Sequence, residues 1–241
     1  MSNTAVTLVG FELQTDWIQP SNTGDTGGGS TKPNGTFLMT PATSEVPEVP
    51  EVPAIPSVPA RPAQPATFSA KGNYPYNNGY WYRVIPGAWD AMTYFRYSLQ
   101  FMLPTAADLA ASQAVEFELQ QNVGSCIYNM AWQADIAGFK VWRTFDYNTS
   151  QWIATSIPVS ITPGEWNAID AVFLRGANNT LTHVSLTING VMHPVNITKA
   201  ATPKVERDYV HCAFQLDSGS TPVPYTCKVQ GVNLVMMPTG S

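Results

Sequence analysis

Two glutamates and a glutamine stand at alternate positions in residues 115–122, and these side chains are the ones best suited to chemistry. In a β-strand Glu116, Glu118 and Gln120 share one face, while the apolar residues between them share the other. Successive carboxylates on one face lie roughly 7 Å apart, because a strand rises about 3.3 Å per residue. They repel each other unless a cation, a positive side chain or a hydroxyl-rich ligand lies between them. We therefore expect a functional surface here.

The chain from residue 66 onward predicts an all-β domain that would position these residues. Short β-rich runs separated by turn residues are typical of a sandwich of antiparallel sheets. One helical turn is predicted at 104–111. Asn189-Gly190 predicts a tight hairpin, because a type I′ turn needs positive φ at both central residues. The predicted strands are 66–71, 80–85, 94–103, 113–121, 127–134, 138–146, 151–161, 165–175, 181–188, 191–197, 210–216 and 225–237.

Composition restricts the partners and the compartment. The apolar fraction of 44% is ample for a core, while charged residues make up only 12% of the chain, about half the usual share. A net charge of −5 argues against a nucleic-acid partner. No apolar run is long enough to span a bilayer. A surface covered by Ser, Thr, Asn, Gln and Gly is common in extracellular proteins, so we expect a secreted or cell-surface location.

Three segments follow one another along the chain. Residues 1–20 contain a strand expected to join the sandwich near the C-terminal strand, and residues 66–241 form the main domain. Between them, residues 21–65 combine a flexible Gly/Ser-rich loop with a proline-rich part. Proline recurs at every third position from 47 to 65, which matches polyproline II and predicts a rod roughly 55 Å long at about 3.1 Å per residue. The rod is interpreted as a spacer or arm, or alternatively as a ligand for a proline-binding partner.

The three cysteines leave two readings open. A turn predicted at Gly219-Ser220 would place Cys212 opposite Cys227 in a hairpin. A cross-strand disulfide between them is one prediction, and two buried thiols are the other. Cys126 is interpreted as a small packed hydrophobic residue, since no histidine or cation nearby would lower the pKa of its thiol.

Two motifs carry a resemblance to a known family. The run Pro163-Gly164-Glu165-Trp166-Asn167, followed later by Leu186-Thr187-Ile188-Asn189-Gly190, resembles a pattern of concanavalin A-like (laminarinase- and LamG-like) jelly rolls. In that family the tryptophan strand and the Asn-Gly hairpin are neighbouring parts of curved sheets. Residues 66–237 also resemble secreted bacterial jelly rolls of unassigned function. The resemblance implies a jelly-roll sandwich of two antiparallel sheets.

Residues 115–122 are similar to the catalytic strand of laminarinase- and lichenase-type β-glucanases, which carry Glu-x-Asp-x(-x)-Glu. The resemblance puts Glu116 at the nucleophile position and Glu118 at that of the helper carboxylate. The acid/base position falls on Gln120, or on Gln121 in the longer form of the motif. An amide cannot donate a titrating proton, so the resemblance implies a strand without its general acid. The nearest other acids are Asp108 and Asp135.

Aromatic residues favour a sugar ligand, because a flat ring stacks on a pyranose while amides and carboxylates bind its hydroxyls. Trp132 and Trp142 are the predicted stacking platforms. Trp81 is a third candidate, since strand alternation puts it on the face opposite Tyr80 and Tyr82.

We therefore expect a lectin-like, non-catalytic jelly roll that binds a neutral polysaccharide or cell-surface glycan on its concave sheet. The first alternative is a glycoside hydrolase or polysaccharide lyase with Glu116 and Glu118 as catalytic groups. The second is a structural subunit of an extracellular filament or coat that self-assembles through the N-terminal or proline-rich arm.

No cofactor is expected, and a structural calcium ion is the alternative that the family resemblance implies. Its candidate ligands are Asp16, Asp25 and Asp217, although no loop has calcium-binding spacing. The three histidines have no spacing typical of a zinc site.

Overall fold

The structure, a computed structural model, describes residues 6–11, 17, 36–40, 64–71, 75–85, 87–203, 208–221 and 223–238. The loop predicted at 21–35, the proline rod as far as residue 63, and the calcium candidates Asp16 and Asp25 lie outside the described residues.

Sixteen strands and one short helix are found in the described residues. The strands are β1 Val6–Val9, β2 Thr36–Thr40, β3 Ala66–Lys71, β4 Asn78–Ile85, β5 Tyr94–Met102, β6 Ser112–Val123, β7 Cys126–Asn129, β8 Trp132–Asp135, β9 Val141–Asp146, β10 Gln151–Pro158, β11 Asn167–Gly176, β12 Thr180–Ile188, β13 Val191–Ala200, β14 Thr202–Pro203, β15 Tyr209–Ser218 and β16 Tyr225–Met237, and the helix is α1 Ala106–Ala111.

The strands form two antiparallel sheets, and the fold is an all-β jelly-roll sandwich as the sequence predicted. Sheet I has the order β13-β12-β11-β5-β16-β3-β2, with β1 also paired to β16. Sheet II has the order β10-β9-β8-β6-β15-β4, with β7 paired to β6 and β14 to β7. Neighbours in the sheets are often distant in sequence, as β6 and β15 are.

Most predicted strands are confirmed within a few residues, and the exceptions are informative. The run predicted at 127–134 divides into β7 and β8, because Met130 and Ala131 interrupt the pairing with β6. The sequence missed β2, which lies inside the segment expected to stand apart from the sheets and pairs with β3. The opening strand β1 pairs with the C-terminal strand β16, so this strand is not a free arm.

Local chemistry explains the hairpin and the helix. Asn189 and Gly190 have φ of 50° and 84°, so the hairpin predicted between β12 and β13 is confirmed with the backbone that a type I′ turn requires. Thr105 and Asp108 form a reciprocal capping box at the start of α1. The Asp108 carboxylate also accepts from the backbone N–H of Thr226 at 2.8 Å, which ties the helix to β16.

Aromatic rings from both sheets meet in the core. Phe101 of sheet I lies 5.0 Å from Phe117 of sheet II, and Phe68 of sheet I lies 4.5 Å from Phe214 of sheet II, between ring centroids. Because strands alternate, the neighbours of Phe117 and Phe214 in sequence must face outward. The outer surface of sheet II therefore displays the alternate residues of β6 and β15.

Candidate functional site

The outward surface of β6, with the facing parts of β4, β8, β9 and β15, is called the polar face below. Glu116, Glu118 and Gln120 lie on it, as the alternation predicted, while the apolar residues between them are buried. The pairing register places Gln215 of β15 and Gln133 of β8 on either side of Glu116. It also places His211 opposite Gln120.

Three strands contribute to a hydrogen-bonded group around Glu118. The Tyr80 hydroxyl donates to Glu118 Oε1 at 3.2 Å, and His211 Nε2 lies 3.0 Å from the same oxygen. The rings of Tyr82 and Tyr209 flank His211 at 5.7 and 5.6 Å between centroids. Burial, and next the neighbouring Glu118, raise the pKa of Tyr80 well above its ordinary value. The hydroxyl is thus held as a neutral donor.

A second group forms around Glu116, whose carboxyl has a second acid beside it. Gln133 Nε2 donates to Glu116 Oε1 at 2.7 Å and lies 3.5 Å from Asp217 Oδ2. Gln215 Nε2 donates to the other Asp217 oxygen at 2.9 Å. Burial, followed by the charge of Asp217, raises the pKa of Glu116 well above its ordinary value. The carboxyl groups of Glu116 and Asp217 are therefore unfavourable when both are ionised.

A third group closes the polar face towards β9 and β10. Arg143 Nη1 donates to Asp135 Oδ2 at 3.0 Å, and the guanidinium lies 5.0 Å from the ring centroid of Phe139 and 6.0 Å from that of Trp152. The Asp135 carboxylate also accepts from the backbone N–H groups of Gly138 and Phe139. Asp135 thus orders a turn and an arginine, and Asp108 caps α1.

Several side chains of the polar face are shielded from solvent. His211 is 7% exposed, Gln215 and Gln133 6% each, and Asp135 1%. Buried polar side chains normally find partners. Yet both amide atoms of Asn129, which is paired with Gln120, lack a hydrogen-bond partner in the described structure.

The tryptophans predicted as stacking platforms are core residues, and that prediction is wrong. Trp81 and Trp132 are 1% exposed and Trp142 is 2% exposed. Alternation had correctly separated Trp81 from its tyrosine neighbours, but the assignment of the two sides was reversed, because the larger rings fill the space between the sheets. The partly exposed rings on the outward surface of sheet II are Tyr80, Tyr82, Phe145, Tyr147, Trp152 and Tyr209.

The predicted disulfide is also wrong. Cys212 lies on β15 in sheet II and Cys227 on β16 in sheet I, and both are buried free thiols, as is Cys126. The chain around Gly219 passes from one sheet to the other and does not form a hairpin. The second reading of the sequence, two buried thiols, is the observed one.

No group of three or more His, Cys, Asp or Glu side chains arranged to hold a metal occurs among the described residues. Asp217, a predicted calcium ligand, accepts hydrogen bonds from the amides of Gln215 and Gln133. In the described parts of the chain no helix has the length and apolar character that a membrane crossing requires.

Sequence reasoning missed most partners of Glu116 and Glu118. His211, Gln215 and Asp217 lie on one face of β15, and this period-two polar pattern was the available signal, although the strand predicted at 210–216 ends one residue before Asp217. Because β15 is nearly a hundred residues from β6, only the pairing register brings the two patterns together.

No protein-family model matches this chain, and no curated protein matches it in sequence. Solved structures similar to it include an alginate lyase mutant in complex with alginate trisaccharide, at 13% identity over 73% of this chain and 82% of that chain, with a TM-score of 0.46. Peanut lectin is similar at 9% identity over 99% of this chain and 100% of that chain, with a TM-score of 0.46. Arcelin-5, a lectin-like defence protein from Phaseolus vulgaris, is similar at 14% identity over 98% of this chain and 100% of that chain, with a TM-score of 0.43. Because these TM-scores lie below 0.5, the ligand has to be inferred from the residues of the polar face.

Proposed function

We propose that this chain is a secreted or cell-surface, lectin-like jelly roll of the concanavalin A-like kind that binds a polysaccharide or glycan on its polar face. The observation that carries the proposal is the composition of that face. Carboxylates, amides and an imidazole are held close together there, and partly exposed aromatic rings lie around them. Sugars present hydroxyls to polar groups and apolar ring faces to aromatic side chains.

The contact residues differ from those first predicted. Glu118 and His211, whose side chains are 14% and 9% exposed, lie at the solvent boundary beside the rings of Tyr82 and Tyr209. We assign the sugar hydroxyls to Glu118 and His211 and the sugar ring to the tyrosines. Glu116 and Gln120 then act mainly by holding their neighbours in position, through Gln133 and Asn122.

The test is binding to a glycan array and to insoluble neutral polysaccharides, with Glu118→Gln compared to the wild type. Loss of one charge-assisted hydrogen bond should weaken binding about tenfold, since such bonds contribute about 1.5 kcal/mol or more. Glu165→Gln is the matched control, because Glu165 is exposed in the turn before β11, outside the polar face. Equal binding by wild type and Glu118→Gln would remove the site assignment, and absence of binding to any glycan would remove the function.

A second candidate function is acid–base catalysis on the bound glycan, and the pair formed by Glu116 and Asp217 favours it. A glycosidase needs two nearby carboxyl groups, and burial raises the pKa of both Glu116 and Asp217, which suits a proton donor. Catalysis predicts release of new reducing ends or unsaturated sugars, abolished in both Glu116→Gln and Asp217→Asn. Wild-type protein that binds a glycan and leaves it intact would exclude this candidate while preserving the first.

A further inference from the structure

A small cleft opens where the edge of sheet I meets the edge of sheet II, beside the polar face. It is lined by Tyr128 and Asn129 of β7, Phe145 of β9, the following Tyr147, and Lys199 of β13. Lys199 is 9% exposed, so its long side chain runs inward from the sheet edge and its amine lies at the inner wall. The described residues give this lysine no carboxylate hydrogen-bond partner.

The amine of Lys199 begins a chain of hydrogen bonds that leads to a buried histidine. Its Nζ donates to Thr144 Oγ1 at 2.9 Å and to the backbone oxygen of Phe145. Thr144 Oγ1 lies 2.7 Å from His183 Nε2. When Lys199 carries all its protons its nitrogen can only donate, so in that form the threonine hydroxyl accepts from it and turns its own hydrogen toward the imidazole. A proton can therefore pass from Lys199 through Thr144 to His183.

The surroundings favour the uncharged forms of both nitrogen groups. Burial lowers the pKa of Lys199 to about 7, against the opposing effect of Asp146. Burial, and next the charge of Lys199, lower the pKa of His183 well below its ordinary value. The rings of Trp132 and Phe173 enclose this histidine, at 5.5 and 5.0 Å between centroids. An ordinary lysine is almost wholly protonated at neutral pH, so Lys199 stands apart in nucleophilicity.

A second feature of the cleft points to a ligand. Asn129 is 6% exposed, lines the cleft, and has no hydrogen-bond partner for either its amide oxygen or its amide nitrogen in the described structure. A buried amide without partners costs free energy unless a bound molecule or water satisfies it. The amide offers a donor for a carbonyl oxygen within the same cleft as the lysine amine.

We propose that Lys199 is a nucleophilic lysine that forms an imine with a small aldehyde or ketone entering this cleft. The amine lone pair forms a bond to the carbonyl carbon, and the carbonyl π electrons move to oxygen. The proton lost by nitrogen travels through Thr144 to His183 and returns to the oxygen, giving a carbinolamine. Loss of water from the carbinolamine leaves the carbon–nitrogen double bond, so one amine and one carbonyl compound yield one imine and one water. This reaction requires nothing of the glycan site.

The experiment traps the imine in the full-length protein with formaldehyde and sodium cyanoborohydride at pH 7. Hydride from the reagent converts the iminium to a methylated amine, and peptide mass spectrometry measures the rate at each lysine. Lys199 is expected to react several-fold faster than the exposed Lys71 and Lys140, although it is far less accessible. Slower reaction of Lys199 than of these two lysines would overturn the proposal.

A matched pair of variants tests the relay. Thr144→Ser keeps the hydroxyl and should retain rapid labelling of Lys199, while Thr144→Val removes it and should slow Lys199 several-fold without changing Lys140. His183→Gln removes the imidazole at the end of the chain of hydrogen bonds and should also slow the labelling of Lys199. This variant provides the test if Thr144→Val does not fold. The relay has no role if Lys199 is labelled at the same rate in the wild type and in a folded Thr144→Val or His183→Gln variant. That result would overturn the proposal as stated.

Discussion

The Tyr80 hydroxyl donates to Glu118 Oε1 at 3.2 Å, although β4 and β6 are separated by β15. Strands two places apart in a sheet are about 10 Å apart, so the two side chains must converge over the strand between them. Ala213 lies on that strand, paired with both Tyr82 and Glu118, and its small side chain leaves the space. The group around Glu118 therefore depends on a small residue at this one position.

Removal of the Tyr80 hydroxyl should destabilise the protein measurably. Tyr80→Phe leaves Glu118 Oε1 without one of its donors, and we expect a loss of about 1 kcal/mol in the free energy of unfolding, measured in urea. Tyr82→Phe is the control on the same strand and face, since no hydroxyl hydrogen bond of Tyr82 is seen within the described residues. Equal losses in the two variants would contradict a specific role for the Tyr80–Glu118 bond.

The stability of the protein should fall as pH rises, through Glu116. Because its pKa is raised in the folded state, the folded chain holds this proton to higher pH than the unfolded chain does. The stabilisation is complete below the unfolded pKa of about 4.3 and is lost as pH rises from there through the folded pKa. Glu116→Gln mimics the protonated acid, so its advantage over wild type in urea unfolding should grow as pH rises. The exposed Glu165→Gln should show no such trend, and a constant difference for Glu116→Gln would refute the assignment.

The two kinds of tryptophan in sheet II should contribute very different amounts to the free energy of unfolding. Trp142→Ala empties a site in the core and should cost about 3–5 kcal/mol in the free energy of unfolding. Trp152 lies on the outward surface against Phe145 and Arg143, so Trp152→Ala should cost about 1 kcal/mol. A comparable loss in both variants would contradict the division of the sheet into a core side and an outer side.

The three thiols should be protected by burial and not by oxidation. In the absence of reductant, a thiol reagent should react slowly with the folded protein. In denaturant, also without reductant, it should react with all three cysteines. Reductant should leave the thermal midpoint unchanged. Burial raises the pKa of the Cys227 thiol, which reduces its thiolate fraction further. If only one thiol reacted under denaturing conditions, the other two would have to be joined in a disulfide, and the prediction of three free thiols would be wrong.

Local pattern was enough to predict much of this protein. Strand alternation placed Glu116, Glu118 and Gln120 on one face, and the positive φ demanded by a type I′ turn identified the hairpin at Asn189-Gly190. These features are decided by the period of a strand and by the steric limits of single residues, so a short window of sequence contains them.

What lay beyond a short window was decided only by the tertiary structure. Period-two alternation separates Trp81 from Tyr80 and Tyr82 but does not say which side faces the other sheet, because that depends on how the whole core is filled. The neighbour of Glu116 is Asp217, from a strand about a hundred residues away, and pairing register alone makes them meet. Cys212 and Cys227 were separated because the chain changes sheets between them, and the Lys199–Thr144–His183 chain formed because the two sheets pack against each other. Such long-range contacts are selected by the burial and packing of the complete fold, which no segment of the sequence specifies by itself.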